Sequence, residues 1–201
     1  MRIGVFGGSF DPVHNGHLLL AESCREQGKL DRVFLIPAVV SPHKQDDLPA
    51  DGNDRLEMLR LAVGGNEHFE VSDLELQRGG VSYTVDTLTA IASKHPGDDL
   101  FFMMGADSLL DFPNWREPQA ICRLASVLVV ARPDCPNPDL ECLREFGEGV
   151  VDSSRIVDMP RVDYSSTEIR SRVRRGKSIR YRTPRSVEKY IEAKRLYRAT
   201  E

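Results

Sequence analysis

Short apolar runs alternate along this chain with longer stretches whose apolar residues recur every three or four positions. The runs lie at 2–6, 32–37, 69–74, 100–104, 126–131 and 155–159, and the amphipathic stretches at 17–27, 53–63, 84–94 and 119–124. Brief apolar runs suit strands buried on both faces, whereas the wider spacing suits helices with one buried stripe. Runs this short do not distinguish a strand from a buried helix by period alone. Their number and alternation with helices do, and they predict a parallel sheet covered on both sides. The expected class is α/β, a Rossmann-like doubly wound parallel sheet with a helical C-terminal part.

Beyond position 160 the pattern predicts helices alone, over 165–173 and 183–197. Thr183 is placed to cap the second of these, with Pro184 at its first position. Val187, Tyr190, Ile191 and Lys194 share one face of it. Residues 133–149 open as a proline-rich loop and hold one short helix. The expected organisation is a single domain over 1–201, with a core at 1–160 and C-terminal helices at 161–201.

The composition is that of an ordinary globular chain, with 201 residues and 40% hydrophobic. No run approaches the roughly 18–20 apolar residues of a membrane span. The first residues enter a strand pattern without the order of a signal peptide, so a cytosolic address is the simplest expectation. Cys24, Cys122, Cys135 and Cys142 form no CxxC pair and no zinc spacing, which suits structural thiols. Charge is unevenly distributed. Positions 155–198 hold 14 Lys/Arg and 5 Asp/Glu, against 13 and 26 elsewhere. A basic end suits nucleic acid, a phosphate-rich small ligand or solvated helix faces.

The strongest chemical signal follows the first strand, at GGSFDPVHNGH, residues 7–17. A strand, a tight glycine turn and a helix form an arrangement that cradles phosphate. Gly7 and Gly8 let the backbone approach a ligand, and Gly16 is expected to leave room for a base or ribose. The following helix is expected to point its free N–H groups and positive end at the same place. His14 and His17, three apart, share one face of the helix start. The glycine spacing is neither the GxGxxG fingerprint nor a phosphate-binding loop ending in Gly-Lys-Ser/Thr. A zinc site needs a third ligand, for which Asp11 or Asp107 is available, but catalytic zinc favours histidine-rich triads. Asp107, after an apolar strand, is placed either to meet a ribose hydroxyl or metal, or to cap the next helix. Ser165 to Glu168 reads as a capping-box start, where the hydroxyls either cap or receive phosphate.

Residues 7–17 resemble the (T/S)FDPxHxGH signature of the HxGH nucleotidyltransferase superfamily, which includes pantetheine-phosphate adenylyltransferases, cytidylyltransferases and class I aminoacyl-tRNA synthetases. Further segments narrow the likeness: PHK at 42–44, SYTVDTL at 82–88, GADSLLDFPNW at 105–115, VVARP at 129–133 and SSTEIR at 165–170. In this order, across nearly the whole chain, they resemble nicotinate-mononucleotide adenylyltransferases. Ser9 stands where many members have threonine, and Arg116 where many have an aromatic residue or histidine.

The resemblance implies transfer of AMP from ATP to nicotinate mononucleotide, with Mg²⁺ held mainly by the ATP phosphates. It implies His14 and His17 as catalytic residues. ATP would be bound by Gly7, Gly8, Ser9, Phe10, His14, His17, Gly105, Asp107, Arg132, Ser165, Ser166, Thr167 and Arg170. The mononucleotide would meet Lys44, Tyr83, Thr84 and Trp115. Nicotinamide mononucleotide and phosphopantetheine are the alternative acceptors. A nucleic-acid-binding module is the alternative from another class, disfavoured because no basic motif interleaved with aromatics occurs. The expected partners are ATP and a pyridine mononucleotide, with neither nucleic acid nor membrane, and a homo-oligomer stays open.

Overall fold

A computed structural model describes residues 1–40, 50–131 and 138–198. Six parallel strands form one sheet in the order β3-β2-β1-β4-β5-β6. They are β1 (Arg2–Gly8), β2 (Arg32–Pro37), β3 (Phe69–Val71), β4 (Asp99–Gly105), β5 (Ser126–Val130) and β6 (Arg155–Val157). The predicted 69–74 and 155–159 runs are shorter as strands. In the first, Leu74 already opens a helix.

The helices are α1 (Asn15–Gly28), α2 (Gly52–Val63), α3 (Leu74–Arg78), α4 (Thr84–Lys94), α5 (Ala106–Asp111), α6 (Pro118–Leu124), α7 (Val150–Ser153), α8 (Ser166–Arg174) and α9 (Arg185–Lys194). Short 3-10 turns cover Phe112–Asn114 and Leu140–Phe146, the latter within the loop expected to hold one helix. None of the helices described is long and apolar enough to cross a membrane.

Strand alternation divides the core. Phe6, Val33, Leu35, Phe101, Met103, Leu128 and Val130 face Leu20 and Cys24 of α1, Met58 and Leu59 of α2, Ile169 of α8 and Val187 and Ile191 of α9. The intervening residues, including Ile3, Val5, Phe34, Ile36, Phe102 and Val129, face Val85, Leu88 and Ile91 of α4 and Ile121 of α6. The period of two thus supplies one apolar surface to each side, as a doubly covered sheet requires. The C-terminal helices α8 and α9 share the first of these cores.

The chain winds outward in opposite directions from the two central strands, β1 and β4, whose register pairs Ile3 with Leu100 and Val5 with Phe102. Loops leaving their carboxyl ends diverge, and the crevice between them is where such sheets bind ligands.

Candidate active site

The turn leaving β1 is held by unusual backbone. Phe10 has φ of 47°, a left-handed conformation that a non-glycine residue adopts only when its surroundings impose it. The surroundings here are aromatic. Its buried ring packs edge-on against Phe6 at 5.3 Å and His17 at 5.0 Å. The Asp11–Pro12 peptide is cis.

His14 and His17 form the start of α1. His14 is the N-cap, and its Nδ1 accepts from the His17 backbone N–H at 3.3 Å. In return, His17 Nδ1 accepts from the His14 backbone N–H at 3.2 Å. The rings stack with centroids 3.6 Å apart and planes 17° from parallel. This is a capping box made of two imidazoles. A backbone N–H can only donate, so both Nδ1 atoms must accept, and each neutral ring carries its proton on Nε2. Local backbone geometry therefore turns both histidines into Nε2–H donors.

Two sequence expectations need correction here. Gly16 does not clear space for a ligand: a Cβ there would meet His14 Nδ1 at 3.1 Å and Cε1 at 3.2 Å. It makes room for the stacked imidazole. Within the 7–17 motif, Gly7 is the glycine with open space around such an atom. Nor does α1 present all its first N–H groups to a ligand. That of Asn15 donates to the Arg182 carbonyl at 2.9 Å, and that of His17 to His14. The imidazoles replace part of the helix end as donors.

The C-terminal helices clamp this turn. Ser166 Oγ donates to the Pro12 carbonyl at 2.9 Å, and Arg170 Nη1 to the Asp11 carbonyl at 2.9 Å. Arg170 also stands 3.5 Å from the Asp11 carboxylate, with its side chain only 12% exposed. Thr183 is buried, and its hydroxyl donates to the Val13 carbonyl at 2.9 Å. It does not cap α9, where Pro184 is the N-cap. Tyr197 donates to Asp11 Oδ1 at 2.6 Å. Burial and the adjacent Asp11 carboxylate push its phenol well above the usual range. The buried Arg55 donates to the carbonyls of Ser9 at 2.8 Å, Ala38 at 2.6 Å and Ala50 at 2.9 Å. Its burial draws its pKa down. Arg55 and Tyr197 carry no local sequence signal for this role, whereas Asp11 reads in sequence as a possible zinc ligand and Thr183 as a helix cap, and both instead hold the turn.

A cavity of about 440 Å³ opens beside the turn, lined among others by Gly7, Gly8, Tyr83, Thr84, Trp115 and Arg116. Tyr83 is the N-cap of α4, whose start receives no hydrogen bond from a capping side chain. Behind it, Ser82 ties the wall to the β2 loop: Oγ accepts from the Val39 N–H at 3.0 Å, and its N–H donates to the Val40 carbonyl at 3.1 Å. The half-buried Trp115 packs its ring against Phe102 and Phe112, at centroid distances of 5.9 and 5.5 Å. It is thus both a core contact and a cavity wall. Glu75 also lines the cavity and accepts from Thr87 Oγ1 at 2.6 Å.

The remaining predicted residues fall around the same sheet edge. Gly105 is the N-cap of α5, and the exposed Asp107 lies in its first turn rather than capping it. Ser165 caps α8 by accepting from the Glu168 N–H at 3.1 Å, and Thr167 is exposed on the first turn. Lys44 and Arg132 lie outside the described residues.

The cytidylyltransferase-like family model matches residues 5–172. A protein of Thermus thermophilus described as a probable nicotinate-nucleotide adenylyltransferase is 47% identical, over 98% of this chain and all of that one. A protein of Desulfitobacterium hafniense with the same description is 44% identical, over 98% and 96%. Among solved structures, nicotinic acid mononucleotide adenylyltransferase of Plasmodium falciparum, complexed with NaAD, superposes with a TM-score of 0.80. It is 19% identical and is matched over 98% of this chain and 97% of that one. The last likeness speaks to the fold.

Proposed function

The chain belongs to the cytidylyltransferase-like family, and from that premise we infer that it is a nicotinate-nucleotide adenylyltransferase. It transfers AMP from ATP to nicotinate mononucleotide, giving nicotinate adenine dinucleotide and pyrophosphate. The observation that carries this reading is that the β1 turn leading to the two stacked imidazoles also lines, through Gly7, Gly8 and Ser9, a cavity walled by Tyr83, Thr84 and Trp115.

In the reaction, an oxygen of the mononucleotide's 5′-phosphate bonds to the α-phosphorus of ATP. The bond from that phosphorus to the bridging oxygen breaks, and pyrophosphate leaves with its electron pair. The attacking phosphate is already anionic, so no proton is abstracted and no covalent enzyme intermediate is needed. What remains for the protein is alignment of two anions and stabilisation of charge on the transferring group. His14 and His17 donate from Nε2 to the phosphoryl oxygens, preorganised by their backbone bonds. Gly7, Gly8, Ser9 and Phe10 form the turn against which ATP lies, with Gly105 and Asp107 on the β4 side of the crevice. The first turn of α8, at Ser165, Ser166 and Thr167, receives the β- and γ-phosphates. Lys44 and Arg132 contribute further cationic contacts to the phosphates. Arg170, one turn further along α8, contributes to ATP binding there while also holding the turn from behind through Asp11.

Mg²⁺ accompanies ATP. Among the described residues no three His, Cys, Asp or Glu side chains group as a metal cage, and the exposed Asp107 is an oxygen donor at the crevice. That donor set suits an ion ligated chiefly by phosphate oxygens. When bound, it supplies neutralising charge for the departing pyrophosphate.

The start of α4, lacking a side-chain cap, offers backbone N–H donors beside the cavity. These suit a ring carboxylate, whereas a carboxamide sets its own NH₂ against a donor unless it turns over. A buried unpaired donor costs about 1–3 kcal/mol, so the acid is preferred by roughly ten- to hundredfold. Pyrophosphate release with saturating ATP and Mg²⁺, measured with nicotinate mononucleotide, nicotinamide mononucleotide and phosphopantetheine, tests both points. The highest kcat/KM is expected for the acid. A higher value for either other acceptor refutes the assignment.

A further inference from the structure

Arg116 occupies an unusual electrostatic position. Its guanidinium lies over the Tyr83 ring, 4.7 Å from the centroid, and Tyr83 is the N-cap of α4. A cation is thereby set beside the positive end of a helix, which is an unfavourable placement in isolation. Two carboxylates offset it loosely, Asp86 Oδ2 at 3.7 Å and Glu117 Oε1 at 3.6 Å, both beyond good hydrogen-bond distance. The side chain is 50% exposed, so these pairs are screened. Among the described residues lining the cavity, Arg116 is the sole cationic one, and the buried Glu75 is the anionic one.

We propose that Arg116 is a specificity-determining residue, selecting an acceptor with a ring carboxylate by placing positive charge beside the α4 N-terminus. The proposal rests on the adenylyltransferase reading and names what distinguishes the acid from the amide at that site. Helix-end donors hydrogen-bond the carboxylate, and the guanidinium supplies a full charge on the same side. The stack on Tyr83 fixes the planar group without a tight ion pair, leaving it available to a second anion. The two mononucleotides share ring, ribose and phosphate. Any attraction of Arg116 for the phosphate is therefore common to both, and their ratio isolates the ring substituent.

The test compares Arg116→Gln and Arg116→Lys with the wild-type enzyme, using nicotinate and nicotinamide mononucleotides at saturating ATP and Mg²⁺. Arg116→Gln is expected to lower kcat/KM about two- to fivefold more for the acid than for the amide, mainly through KM. Arg116→Lys, which keeps the charge, should restore part of the difference. The acid-to-amide ratio of the wild-type enzyme should fall as salt rises, and that dependence should be weaker in Arg116→Gln. Equal losses for both acceptors would mean that Arg116 only steadies Tyr83, and would overturn the proposal. Unchanged kcat/KM for both acceptors would overturn it as well while leaving the enzyme assignment intact. A wild-type protein that adenylylates neither mononucleotide would refute the underlying reading and the proposal with it.

Discussion

The two walls of the crevice are built on opposite plans. On the β1 side, the turn from Ser9 to Asn15 is bound at almost every residue. Arg55 holds the Ser9 carbonyl, Arg170 that of Asp11, Ser166 that of Pro12 and Thr183 that of Val13. On the acceptor side, Trp115 and Tyr83 are half-buried, and Arg116 is half-exposed over an aromatic ring. The difference fits the work proposed for each side. Phosphoryl transfer without a general base depends on donors fixed in position, since reorganisation during the reaction would cost what preorganisation gains. Choosing one ring substituent over another requires only a differential contact at the cavity rim, which loops and surface charges provide.

Removing one imidazole should break the comparison most sharply. His17→Ala deletes the proposed phosphoryl donor and also the acceptor for the His14 N–H. Turnover should fall on the order of 10²–10³-fold. Stability should fall by only about 1 kcal/mol, the usual cost of a lost cap. Steady-state kinetics beside urea denaturation separate the two effects, and near-normal turnover in folded protein would sink the assignment of His17.

A smaller effect is expected behind the turn. Tyr197→Phe removes one donor from Asp11, whose Oδ1 keeps the Ala50 N–H at 3.2 Å. The folding equilibrium should shift about fivefold, near 1 kcal/mol. The same phenol imposes a pH dependence. Its pKa is raised by folding, so its contribution is complete below the unfolded value near about 10 and is lost as pH climbs beyond it. Tyr190, pushed up to about 12 by burial and its bond to Asp54, acts in the same direction. Unfolding followed from pH 7 into the alkaline range should steepen above pH 10 in the wild type and less so in Tyr197→Phe. Identical alkaline profiles would remove Tyr197 from this account.

The smallest change sharpens the map of the ATP site. Thr167→Ala should weaken ATP about threefold while barely affecting AMP, because the proposed contacts are to the β- and γ-phosphates. Calorimetric titration of both nucleotides checks this, and equal weakening would move the pyrophosphate end of ATP away from α8.

Local sequence specified much of this. The run at 32–37 and the stripe at 84–94 coincide with β2 and α4, because both periods are properties of neighbouring residues. The three-residue spacing of His14 and His17 was legible for the same reason, although their reciprocal Nδ1 bonds were not anticipated. Thr183 shows where local reading fails. It has the sequence of an N-cap before proline, yet its hydroxyl is taken by Val13, 170 residues earlier. Gly16 appeared to be an opening for ligand and instead accommodates His14.

By itself, then, the sequence determined the alternation of strands and helices, the sheet class and the chemistry carried by the motif at 7–17. Periodicity, turns and caps act between residues a few positions apart. The tertiary structure alone decided which groups meet: Arg55 with Ser9 across 46 residues, Arg170 with Asp11 across 159 and Tyr197 with Asp11 across 186. It also set Arg116 over Tyr83. Such pairs leave no mark in local spacing, because they exist only once the sheet has brought distant loops to one edge and burial has made each polar group find a partner.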